Sequence, residues 1–273
     1  MKKTITLSAV LFLMFAVFAN AQKLPNVQEK SVRAPATIKI DGKRPEWDNQ
    51  IQAINKATSI LYTISNDDDK LYLAVLAADE DIANKIINAG ITFTINGSGK
   101  AYDEGGMAIT FPFLYKDDHR PNLPLLDYNK EIAVWNKQLT DKTKDIRVAG
   151  IKGVKDTISI YNMEGIKVAA LFGDDAVFTW ELAIPLKYLG LSVNDLKPFV
   201  YNIKLNGTPN YFSSHAENQM NALQHIKSYL RGGQSVRGLR HEGDNFIVYG
   251  GGESLVNSLI NPTYFSGEYT LAK

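Results

Sequence analysis

Between Ile38 and Asp79 the hydrophobic pattern of the chain changes repeatedly, and each change predicts an element. Ala36-Thr37-Ile38-Lys39-Ile40 alternates, which predicts a short strand ending at the Asp41-Gly42 turn signal. Pro45 fixes the chain ahead of Glu46-Trp47, and Trp47 is expected to plug one end of a core. Ser59 to Ile64 alternates again, with Ile60, Tyr62 and Ile64 on one face. Leu71 to Leu76 is apolar on both faces, the pattern of a central strand covered from two sides. The polar loop Asn66 to Asp69 between these two runs has hairpin chemistry.

The pattern continues in short pieces. Asp79 to Ala89 predicts a helix, with Ile82, Ile86 and Ile87 at helical spacing and Gly90 as its stop. Ile91 to Ile95 and Met107 to Leu114 predict strands. Asp127 to Leu139 predicts a helix carrying Ile132, Trp135 and Leu139 on one stripe. Further strands are expected at Arg147–Val154, Thr157–Met163, Gly165–Phe172, Ala176–Ile184 and Phe199–Leu205, with a helical step at Leu186–Leu191. Ala216 to Leu230 reads as a helix, Phe246 to Tyr249 as strand-like, and Tyr264 to Leu271 as a closing strand. Many short strands separated by turn signals predict a mostly β fold, an antiparallel β-sandwich with short helices in insertions.

The first 21 residues have a different character. Lys2 and Lys3 precede an apolar run from Leu7 to Phe18, and Ala19-Asn20-Ala21 supplies small residues before Gln22. This is the three-part pattern of a cleaved signal peptide, so an exported protein, periplasmic or extracellular, is expected. The run is shorter than the roughly 20 apolar residues a bilayer requires, and no membrane span is expected. Residues 22–33 are polar and read as a flexible lead-in. Residues 34–273 read as one sandwich domain interrupted by insertions at about 115–145 and 208–245.

Composition narrows the functions. The 273 residues carry 30 basic and 29 acidic side chains, a net charge of +1, which gives no footprint for nucleic acid. The chain has no cysteine, which excludes disulfides, thiolate catalysis and cysteine metal sites. With 45% apolar residues it can build its stability from a core.

Three pieces, in order, resemble a known family. They are Ile40-Asp41-Gly42 with Glu46-Trp47; the hairpin ending Leu71-Tyr72-Leu73 and then Asp79; and Trp180-Glu181-Leu182-Ala183-Ile184-Pro185. Together they resemble the family 9 carbohydrate-binding modules and the related DOMON-like β-sandwich domains. The resemblance covers roughly residues 34–206. It implies a jelly-roll-like sandwich and a carbohydrate ligand, with structural calcium in some members and haem in some DOMON-like relatives. The two large insertions depart from the family pattern, so its sugar-binding residues are not carried over.

Candidate chemistry follows from residue type. Sugar sites use flat aromatic rings, because the C–H faces of a pyranose pack on a π surface. Trp180 shares a face with Phe178, Leu182 and Ile184 and is expected in the core. Trp135 lies in an insertion, and site and core are equally open to it. Tyr115, Tyr128, Tyr211 and Phe212 lie in loops or at strand ends and complete the set of candidate ligand-binding rings. Asp79 and Asp81 are the candidate calcium ligands, beside the plainer reading of an acidic helix start. A haem would need histidine or methionine inside the sandwich, and Met163 is the nearest residue of that kind. The function expected is non-catalytic carbohydrate binding in polysaccharide recognition or use. The alternatives are a glycoside-active enzyme with its site in the insertions, or an envelope protein-interaction module.

Overall fold

The computed structural model describes residues 24–96, 106–113, 132–194, 197–207, 239–242, 245–248 and 261–273. Its strands are β1 (Ala53–Asn55), β2 (Ile60–Asn66), β3 (Lys70–Ala77), β4 (Ile91–Asn96), β5 (Met107–Phe111), β6 (Asp145–Ala149) and β7 (Thr157–Ser159). They continue with β8 (Lys167–Phe172), β9 (Phe178–Pro185), β10 (Phe199–Leu205), β11 (Leu239–Glu242), β12 (Asn245–Val248) and β13 (Thr263–Tyr269). The helices are α1 (Glu80–Ala89), α2 (Ile132–Lys142) and α3 (Leu186–Leu189).

Two antiparallel sheets form a sandwich, as the strand pattern predicts. One has the order β1-β2-β3-β9-β8, the other β13-β10-β4-β5-β6-β7, and β11 and β12 form a separate hairpin. The inner faces alternate as the sequence does. Ile60, Tyr62 and Ile64 of β2 meet Phe93 of β4 and Tyr201 and Ile203 of β10 in one continuous core. Polar groups inside it are paired across the two sheets. The Tyr62 and Tyr201 hydroxyls lie 2.9 Å apart, and Trp180 Nε1 donates to the Phe111 carbonyl at 2.8 Å.

The β3 strand is buried on both sides because the outer face of its sheet is covered. Residues 34–51 form a strap across that face. Ala34, Ile38, Ile40, Trp47 and Ile51 pack on Tyr72, Ala74 and Ala183. The strap is fastened to one carboxylate, Glu181 of β9. Trp47 Nε1 donates to its Oε1 at 2.6 Å, and the backbone N–H groups of Asp41 and Gly42 donate to its Oε2. Gly42 has φ +79°, and a Cβ there would come within 2.8 Å of Leu171. The Asp-Gly turn is therefore needed both for its backbone angle and for its close approach to β8.

Several expectations are corrected. Residues 36–40 form no strand: their alternation puts Ile38 and Ile40 against the sheet without pairing at an edge. Trp47 plugs the outer layer, not an end of the main core. Over residues 24–33 the lead-in is docked. Gln28 is buried, its Oε1 accepts from Ile64 N at 2.7 Å, and its Nε2 donates to Ile64 O at 2.8 Å. A side-chain amide thus continues the pairing of the β2 edge beyond β1. At the opposite edge Asn136 of α2 does the same for β8, accepting from Phe172 N at 2.8 Å and donating to Phe172 O at 2.9 Å. Among the described residues, no helix is long and apolar enough to cross a membrane.

Candidate functional site

The other outer face, that of the six-stranded sheet, carries polar side chains in rows. Cross-strand pairing fixes the rows, since partners in register point to the same side. One row runs across all six strands: Tyr264, Lys204, Thr92, Thr110, Arg147 and Thr157. A second holds Ser266, Asn202, Thr94, Ala108 and Ala149. The inward neighbours of these residues are apolar and buried, and the alternation sets the polar set facing outward.

Hydrogen bonds hold this face in a defined shape. The hydroxyls of Thr92 and Thr110 lie 2.8 Å apart. Asn206 Nδ2 donates to Thr92 Oγ1 at 3.0 Å and to the Ala89 carbonyl at 3.1 Å, tying the end of β10 to the α1–β4 junction. Asn202 Nδ2 donates to Phe265 O at 3.0 Å and to Ser266 Oγ at 3.1 Å. The Arg147 guanidinium sits 5.4 Å from the centre of the Phe113 ring. Tyr264 is 47% exposed at the edge of the row. Hydroxyls and amides can each donate and accept, and they retain lone pairs or N–H groups beyond those used within the sheet.

The sequence-predicted candidates that lie among the described residues do not converge here. Trp135 is 5% exposed and belongs to the main core with Leu139, so its ring does not present an open sugar platform. Tyr115, Tyr128, Tyr211 and Phe212 lie outside the described residues. Met163, which haem ligation would need inside the sandwich, is 97% exposed on the loop between β7 and β8.

Asp79 and Asp81 are neighbours, with a structural use. Asp79 is the N-cap of α1, and its Oδ1 accepts from Asp81 N at 3.0 Å and Ile82 N at 3.1 Å. Burial, helped by the charge of Asp79, pushes the Asp81 carboxyl above its ordinary range. Among the described residues no three His, Cys, Asp or Glu side chains come together as a cation site. Asp67 is likewise occupied: it accepts from Asp69 N, Lys70 N and the Tyr72 hydroxyl within its own hairpin.

Two buried ionisable groups have unusual environments. Burial pushes the Glu181 carboxyl up to about 7, partly offset by its three N–H donors. Lys85 of α1 is buried, which lowers its ammonium to about 8. Its Nζ donates to Asn261 O at 2.7 Å and Thr263 Oγ1 at 3.1 Å, anchoring the start of β13. Glu181 was visible in sequence only as part of the family-like Trp-Glu motif. Lys85 had no signal, because a lysine in an amphipathic helix usually faces water.

The chain matches no family model and no curated protein.

Proposed function

We propose that the chain is an exported, non-catalytic β-sandwich protein that binds carbohydrate on the outer face of its six-stranded sheet. The observation that carries this reading is the pair of outward rows. They combine threonine, serine and asparagine side chains with a half-exposed tyrosine ring at one end. Sugars are recognised by this combination: hydroxyl and amide groups match ring hydroxyls, and an aromatic face takes the C–H surface. The resemblance of residues 34–206 to family 9 carbohydrate-binding modules supports the same reading, and the leader pattern of residues 1–21 supports export.

Titration calorimetry against a panel of soluble glycans tests it. At least one glycan should bind, and Tyr264→Ala should weaken that binding by about 1 kcal/mol, on the scale of an aromatic contact. Failure of every plant, algal and host glycan to bind overturns the reading. A protein-interaction module is the second reading, favoured by Tyr161 and Met163, which are 74% and 97% exposed on one loop. It predicts that Tyr161→Ser abolishes capture of an envelope partner and leaves glycan binding untouched.

A further inference from the structure

We infer that the row Tyr264–Lys204–Thr92–Thr110–Arg147–Thr157 is a track for an acidic polysaccharide, laid across the strands and carrying an anionic group on each sugar residue. This rests on the carbohydrate-binding reading and specifies its ligand.

The row contains two cations and no anion. Lys204 stands on β10 and Arg147 on β6, with β4 and β5 between them. Three strand spacings separate the two by about 14 Å, and the whole row spans about 24 Å. A pyranose advances an extended glycan by close to one strand spacing. A chain crossing the strands therefore places roughly one sugar over each side chain of the row. With an acid group on every residue, it presents one anion to Lys204 and another to Arg147 in the same binding mode. Thr92 and Thr110, linked hydroxyl to hydroxyl between the cations, face the two intervening sugars. Arg147 is exposed and held by the Phe113 ring, and among the described residues no carboxylate stands at salt-bridge distance from it. A guanidinium stacked in this way offers a planar fork suited to a carboxylate or sulfate.

Among the described residues, the acidic groups of this face stand off the row. Glu268 lies on β13 two rows away, paired with Val200. Asp145 lies on β6 one row to the other side, paired with Ser159. They discourage an anionic chain from lying along the strands at either edge, and leave the crossing direction open.

Titration with polygalacturonate, a sulfated polysaccharide and a neutral glucan tests this. The wild-type chain should bind polygalacturonate, and less tightly as salt rises. Lys204→Met and Arg147→Met should each weaken that binding up to about fivefold, the scale of an exposed ion pair. The double variant should lose more than either single one. Lys167→Met, an exposed cation on the other sheet, should leave it unchanged. Thermal unfolding of each variant confirms that the fold is kept. Binding of the sulfated chain with the same dependence on Lys204 and Arg147 also supports the inference and shows that the track reads charge more than carboxylate geometry. Neutral glucan binding that is indifferent to both substitutions overturns the inference and leaves the carbohydrate site standing. Absence of binding to all three overturns the inference, and the carbohydrate reading falls with it only when the wider glycan panel also fails to bind.

Discussion

The two outer faces of the sandwich are opposites. The face of the five-stranded sheet is sealed by residues 34–51, with Trp47 fully buried and Glu181 beneath it as the fastening. The face of the six-stranded sheet has rows of hydroxyl, amide and cationic side chains, half-buried or exposed. One face is a second core layer; the other is built as a surface. The difference arises from two kinds of alternation. On β3 both sides are apolar, so both need a cover. On β4 and β10 only one side is apolar, and the other can remain in water. An outward polar row on a rigid sheet is a better place for a ligand than a sealed layer whose fastening carboxylate, Glu181, already accepts three N–H groups.

The largest effect expected from this comparison is at Trp47. Trp47→Ala should destabilise the protein by about 3–5 kcal/mol, because it opens a cavity and strips a buried carboxylate of a donor. Urea unfolding would measure it. A loss under 1 kcal/mol would mean that the strap is an ornament and not a layer.

Next is the pH dependence that Glu181 imposes. Its pKa is higher in the folded chain than in the unfolded one, so between about 4.5 and about 7 the folded state binds more proton. Stability from this group is therefore greatest at the acidic end and falls as pH rises through that window, by on the order of 3 kcal/mol in all. Glu181→Gln should remove that slope. A wild-type and a variant curve that run parallel from pH 4.5 to 7.5 would contradict the assignment.

The smallest effect should come from the open face. Thr94→Ala removes an outward hydroxyl from the second row and should change stability by no more than about 0.5 kcal/mol. It should still weaken glycan binding measurably. A stability loss comparable to that of Trp47→Ala would show that this face, too, is a packed layer.

Much of the sandwich was legible because period-2 alternation is a local signal. Ile60-Leu61-Tyr62-Thr63-Ile64 and Ile91-Thr92-Phe93-Thr94-Ile95 announce both the strand and the face it buries. The helix α1 was legible from its chemistry, an Asp79 cap and a Gly90 stop. Residues 36–40 carry a strand's alternation without pairing, because alternation reports which side is buried and not which backbone is paired. The docking of Gln28 was invisible because its partner, Ile64, lies 36 residues away. The candidate site was hidden for the same reason. Thr92, Lys204 and Tyr264 become neighbours only when β4, β10 and β13 are set side by side, and no local pattern encodes that order. Trp135 is a rare aromatic in an insertion, yet its spacing with Leu139 is that of a core-facing helix stripe.

The seam between the lead-in and β13 has a consequence for how the molecule is made. Ser31, Val32 and Arg33 bond to Thr270, Tyr269 and Ala272, across 237 to 239 residues of sequence. Asn66 joins them through the backbone N–H of Ala272 at 2.7 Å. None of these bonds can exist while a ribosome is still reading the codons before Tyr269. The edge of the six-stranded sheet closes only after the chain has emerged through Ala272, which gives the fold a high contact order and slow completion. Until then β10 keeps an open edge, the stage at which a nascent chain is most exposed to mispairing and has most need of a chaperone.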